Sequence, residues 1–160
     1  MEGDFIIKSN DDKEFTVSQK AAMLSDKLQN IKDNKQAIPT KFDSKTIEKL
    51  IEYLNHFQDS TPVEIQKPII INDMKKITDE WSADFVDKLT IEELVNLTEA
   101  SNTFIIESLL NLCCAKLVTL CKGKTEEEIF KTFGIPPNEF TDEQRKKIYQ
   151  ENNWIDNMFK

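Results

Sequence analysis

Residues 106–121 place Leu109, Leu110, Leu112, Cys113, Leu117 and Leu120 around much of the circumference of a single helix. A helix that is apolar on nearly every side belongs in the middle of its fold, so the rest of the chain must supply layers around it. The tail has the opposite character. Between residues 141 and 153 only Ile148 and Tyr149 are clearly apolar, and Trp154, Met158 and Phe159 follow. Two such residues bury little area, and a helix of that length is marginal alone. Aromatic side chains set among polar ones are typical interface anchors. The tail is therefore expected to dock, on its own body or on a partner, and its few apolar positions favour the partner.

The 160 residues suit one domain with a short appended module. A net charge of -8 and a pI near 4.8 argue against general binding to nucleic-acid phosphates, which an acidic surface repels. No window is apolar for long enough to cross a bilayer. The first residues, Met1-Glu2-Gly3-Asp4, carry neither a basic region nor a long apolar run. No secretory signal is read there, and the cytoplasm and nucleus are the expected location. Gly and Pro are few, which disfavours an all-β fold of many tight turns.

Along the chain, Asp4-Phe5-Ile6-Ile7-Lys8 and Glu14-Phe15-Thr16-Val17 flank a run of turn-forming residues and predict a β-hairpin. Ser18 opens a short helical stretch through Ala21, Ala22 and Met23, and a second runs from Ser25 to Ile31. Residues 36–39 read as a brief strand whose Pro39 places it at a sheet edge or strand end. Asp43-Ser44 caps a helix whose stripe is Ile47, Leu50, Ile51, Leu54 and Phe57. Residues 58–78 read as a loop with a short strand at Ile69-Ile70-Ile71, followed by a helix or turn with Trp81 and Phe85. Thr90 to Glu93 forms a capping box, opening a helix with Ile91, Leu94, Val95 and Thr98 on one face. After the central helix, Gly123 is a stop, and Thr125 to Glu128 is a second capping box. It opens a helix with Ile129, Phe130 and Phe133, closed by Gly134; Pro136-Pro137 forces an extended turn, and Thr141 caps a last helix. Residues 1–88 thus form an α/β half, and the remainder is helical.

Catalytic and metal chemistry finds little support. Adjacent Cys113 and Cys114 point about a quarter-turn apart on a helix, so they do not share one metal easily. With Cys121 they read as small packing residues. His56, the single histidine, lies off its helix stripe and reads as a surface residue. A thiol hydrolase using Cys121 or Cys114 with His56 remains as a rival class. The run Glu126-Glu127-Glu128 occupies the first turn of a helix, where negative charge is stabilising in any case. No Gly-rich phosphate loop occurs, and no cofactor or metal is expected.

One ordered set of residues carries a resemblance. Lys122-Gly123-Lys124-Thr125, Glu127-Glu128-Ile129, Lys131-Thr132-Phe133 and Ile135, then Phe140-Thr141, then Glu151-Asn152 and Trp154, resemble the C-terminal module of the S-phase kinase-associated protein 1 family. Ala100, Asn102 and Leu109-Leu110 fit its preceding helices. The likeness covers most of the chain and is specific from about Leu94 onward. It implies an α+β protein: a BTB/POZ-type α/β domain with extra C-terminal helices. The implied parts are a BTB/POZ-like N-terminal part over 1–88, helices completing that domain over 89–121, and an F-box-binding helical module over 122–160.

The implied function is a non-enzymatic adaptor of an SCF-type cullin ubiquitin ligase, bridging F-box substrate receptors to the cullin scaffold. The implied F-box surface is Leu112, Leu117, Leu120, Ile129, Phe133, Ile135, Phe140, Ile148, Asn152 and Trp154. The implied cullin contact is Asn102 and Thr103. Several positions depart from the family pattern. Thr103 stands where the family has Tyr, removing an aromatic anchor; this motivates the alternative of an F-box-binding decoy or non-ligase adaptor that has lost cullin binding. Glu126 replaces a common Pro, the 134–138 turn is one residue longer with two prolines, and Asp142 replaces a Pro that some members modify. The family's acidic loop is nearly missing around residues 30–36. An apolar surface left open without its partner predicts a homodimer of the free chain.

Overall fold

The computed structural model describes residues 4–31, 36–136 and 141–152. The chain divides into two compact units, Met1–Lys122 and Gly123–Lys160.

In the first unit, β1 (Phe5–Lys8) and β2 (Glu14–Val17) pair antiparallel, with Phe5 opposite Val17 and Ile7 opposite Phe15. β3 (Ile38–Pro39) pairs parallel with β1, which gives the order β2-β1-β3. Pro39 thus lies on an edge strand, where its missing N–H breaks no central ladder. Alternation along the strands turns Phe5, Ile7 and Val17 to one buried face.

Two short helices, α1 (Gln19–Ala22) and α2 (Asp26–Gln29), follow the hairpin, each capped by a serine hydroxyl. α3 (Ser44–Phe57) packs on β2, on α1 and on a later helix, α5. Its start is fixed by Asp43, which accepts from the Thr46 amide at 3.0 Å. Ile47, Leu50, Leu54 and Phe57 are buried, as the stripe predicts, and Ile51 is half-buried. Tyr53 joins them at 1% exposure. It stacks among Phe57, Trp81 and Phe85, the last two carried by α4 (Glu80–Asp87).

α5 (Ile91–Thr103) opens with the expected capping box, since Thr90 and Glu93 bond each other's backbone amides. α6 (Glu107–Cys121) packs against α5 and α4 and forms the centre of the unit. Leu109, Leu112, Cys113 and Ala115 are its buried residues.

Three sequence readings need correction. Among the described residues the Ile69-Ile70-Ile71 run joins no strand, and Ile70 is 74% exposed. The Ile69 carbonyl accepts from the Lys122 ammonium at 3.1 Å, not from a strand amide, and β-branched composition alone cannot make a ladder. The buried face of α5 is Leu94, Leu97, Ala100 and Ser101, whereas Val95 is 45% exposed. α5 packs on both α3 and α6, and what those neighbours cover decides which of its residues are buried. Of the cysteines, only Cys113 is a packing residue; Cys114 is exposed and Cys121 half-buried.

The second unit contains α7 (Glu126–Phe133) and α8 (Asp142–Asn152). Thr125 and Glu128 form the expected capping box at the start of α7. Gly134 ends it in the left-handed conformation, with φ of 65°. Its amide bonds the Lys131 carbonyl, and the Ile135 amide bonds the Phe130 carbonyl at 2.8 Å, which is a Schellman closure. Thr141 and Gln144 cap α8 reciprocally, at 2.9 and 3.3 Å. Pro137 lies outside the described residues.

Candidate functional site

α6 carries two apolar stripes, not one. Leu109, Leu112 and Cys113 turn inward. Leu110, Cys114, Leu117, Val118 and Cys121 recur at spacings of three and four and so share an outward face. Val118 is 43% exposed, Cys114 is exposed, and Leu110, Leu117 and Cys121 are half-buried. Leu120 is half-buried too and packs on the core edge. Leu117 packs partly on the core, and among the described residues Cys114 and Val118 leave the middle of this second stripe exposed.

Leu117 and Leu120 therefore keep partial access, as the sequence reading requires. Leu112 does not. It is 2% exposed and lies in the core, so it supports the outward face from beneath and cannot touch a partner. Leu110, Cys114, Val118 and Cys121 were missed. Reading the helix as apolar all round hid the fact that one of its sides would be left open; separating its residues into two stripes finds them.

In the second unit, α7 gathers Ile129, Phe130 and Phe133 on one side and its glutamates and Lys131 elsewhere. All residues of α7 are described, and none is buried. Ile135, brought round by the Gly134 turn, is 40% exposed. Phe130 belongs to this face although the sequence reading omitted it from the site. On α8, Ile148 and Tyr149 are 44% and 67% exposed. Asn152 ends α8 with its side chain outside the described residues, and Phe140 and Trp154 lie wholly outside them.

A separate surface surrounds the α5–α6 corner. Asn102 is exposed, and Thr103 is half-buried with its hydroxyl donating to the Glu99 carbonyl at 2.9 Å. Two residues on, Ile105 has φ of 53° and is 52% exposed. A β-branched side chain in the left-handed region is strained. The corner is held there by α2: the Ser25 hydroxyl donates to the Phe104 carbonyl at 2.5 Å, and the Asp26 amide donates to the Ile105 carbonyl at 3.2 Å. Ile105, Met23 and Val63 line an open groove of about 400 Å³, with Asp26, Glu64 and Glu107 among its other walls.

Burial pushes the Cys113 thiol up to about 12, so it stays protonated. The His56 ring is stacked on Trp81 at 3.6 Å and edge-on to Phe57. Among the described residues, no group of three or more His, Cys, Asp or Glu side chains is placed to hold a metal ion. Among them also, no helix is long and apolar enough to cross a membrane.

Two family profiles match the chain. Residues 4–59 match the tetramerisation domain of the Skp1 family, and residues 107–155 match its dimerisation domain. SKP1-like protein 1 of Oryza sativa subsp. japonica is 34% identical over 92% of this chain and 92% of its own length. The chain belongs to the Skp1 family. The S-phase kinase-associated protein 1 homolog of Tetrahymena thermophila is 41% identical over 108 residues, 68% of this chain and 64% of that protein. A relative from Arthroderma otae, named E3 ubiquitin ligase complex SCF subunit sconC, is 29% identical over 94% of this chain and 93% of its own length. The small sheet with its helices is thus the BTB/POZ-type part of a Skp1-family α+β fold, extended by C-terminal helices. The dimerisation profile runs across α6, α7 and α8, each of which carries apolar residues that are not buried.

Proposed function

We infer that this Skp1-family chain is the adaptor subunit of an SCF-type cullin ubiquitin ligase, joining F-box substrate receptors to the cullin scaffold. The observation that carries the reading is the apolar surface left open on α6 and, in the other unit, on α7. Apolar faces of this kind suit an amphipathic receptor helix. In this reading residues 1–88 and 89–121 make up the BTB/POZ domain, and residues 122–160 make up the F-box-binding module. Leu117, Leu120, Ile129, Phe133, Ile135 and Ile148 are assigned to the F-box, together with Phe140, Asn152 and Trp154. Asn102 and Thr103 are assigned to the cullin.

The adaptor performs no bond chemistry. It holds substrate and ubiquitin-loaded partner in one assembly and so raises their effective concentration. The decoy reading is not favoured, because a relative matched over nearly its whole length is named as an SCF subunit. A thiol hydrolase using Cys121 or Cys114 with His56 is disfavoured by the seating of the His56 ring on Trp81. The cytoplasm and nucleus are the proposed location, where such a ligase would meet its substrates.

The test is size-exclusion chromatography of the full chain with a recombinant F-box segment and a cullin N-terminal fragment. A co-eluting ternary complex is expected. Capture of the F-box segment without the cullin fragment would return the decoy reading, and capture of neither would overturn the adaptor assignment.

A further inference from the structure

The loop between α3 and the 3-10 turn Met74–Lys76 does not wander over the surface. Thr61, Pro62, Val63, Glu64 and Ile65 share a groove with Glu107, Ser108 and Asn111, at the first turns of α6. Further along, the Lys67 ammonium donates to Asn111 Oδ1 at 3.0 Å. At the other end of α6 the Lys122 ammonium donates to the Ile69 carbonyl at 3.1 Å, and Asn72 reaches the Lys122 carbonyl at 3.5 Å. Residues 61–72 therefore run beside α6 from its first turn to its last. Ile65, at 8% exposure, and half-buried Ile69 fasten the loop to the core.

Between and beyond those fastenings the loop presents Ile70, 74% exposed, and Ile71, 40% exposed. Asn111, Val118 and Lys122 are separated by seven and then four residues, so they lie on one line along α6. The loop's two tie points thus flank Val118, and Val118 belongs to the outward apolar face. Ile70 and Ile71 lie between Ile69 and Asn72, which are both bonded to Lys122 one turn beyond Val118, and this sets them beside that face. The Lys67 and Lys122 ammonium groups are each drawn to a protein oxygen, which leaves Ile70 and Ile71 as the exposed apolar side chains of the wall.

We propose that residues 67–72 form a second wall of the receptor-docking surface, with Ile70 and Ile71 gripping the amphipathic F-box helix that covers the outward face of α6. The inference rests on the adaptor reading. The occupant is a helix because the outward apolar residues of α6 recur along its axis with the loop tied beside them, and an amphipathic helix covers such a line with one apolar face. The continuity of the wall with the α6 face assigns it to the same partner. Of all the faces on this chain, this one makes the loop a specificity element: receptors whose helix carries bulk on that flank bind, and those with charge there do not.

The experiment uses the full chain and a recombinant F-box segment, with affinity read by titration calorimetry. I70S/I71S is expected to weaken binding by about tenfold or more, the effect of removing two apolar contacts, while the thermal midpoint and cullin-fragment capture stay unchanged. K67A/N111A, which cuts one tie, is expected to weaken it less. V118D serves as the reference for the α6 face. If V118D abolishes binding and I70S/I71S stays within about twofold of wild type, the wall is refuted and the adaptor reading stands. If V118D has no effect either, both fall. If I70S/I71S instead abolishes self-association of the free chain and leaves F-box affinity intact, a second copy is the occupant and the assignment is overturned. In the wild-type chain, hydrogen exchange over residues 67–72 is expected to slow when the F-box segment is added, and no change there counts against the proposal.

Discussion

Single residues already show where folding and function pull apart. Ile105 is both strained, with φ of 53°, and half out of the protein. Neither condition helps the fold. Ile105→Asn, which suits the left-handed region, is expected to raise stability by about 1 kcal/mol in chemical denaturation. Asp11 works the other way. Hydrogen bonds from Ser9 and then Ser44 hold its carboxyl from an ordinary 3.8 down to about 2. Its oxygen accepts from the Ser44 amide at 3.0 Å, fastening the hairpin to the start of α3. Because the folded chain gives up this proton more readily than the unfolded chain, the stabilisation is complete above the unfolded value. It is lost as pH falls from about 3.8 towards 2. Thermal midpoints of wild type and Asp11→Asn should differ at pH 6 and converge across that acid window. A gap that persists at low pH would remove the carboxylate from the account.

At the scale of elements, α6 shows how one helix serves two purposes. Its inward stripe holds the core and its outward stripe is left over. Leu112→Ala is therefore expected to cost about 2–5 kcal/mol in urea unfolding, because it opens a cavity. Val118→Ala should change stability by no more than about 0.5 kcal/mol, because that side chain is exposed and outside the buried core. Equal losses at the two positions would mean that the stripes have been assigned wrongly. The hairpin, the capped starts of α3, α5 and α7, and the stops at Gly123 and Gly134 were all readable as local chemistry. They depend on residues within four positions of each other. The face of α5 and the fate of Ile69-Ile70-Ile71 were not readable, because each depends on which neighbour arrives and how closely.

At the scale of the whole molecule, the inventory is a core-forming unit and a polar unit, each with apolar residues left exposed. Open apolar surface drives association. Sedimentation of the free chain should show concentration-dependent self-association, and a saturating F-box segment should reverse it. A strictly monomeric free chain would count against the dimer. By itself the sequence determined most of the element order, the caps, the class of fold and the family resemblance, because these follow from short-range spacing and from an ordered set of residues. It also determined that the tail was too poor in apolar residues to build a core. Only the tertiary structure decided that Leu112 is interior while Cys114 and Val118 are not, that α5 turns Val95 outward, and that the 61–72 loop is tied along α6. Those outcomes depend on which surfaces meet across long stretches of chain, and a residue's spacing on its own helix carries no information about what will lie opposite.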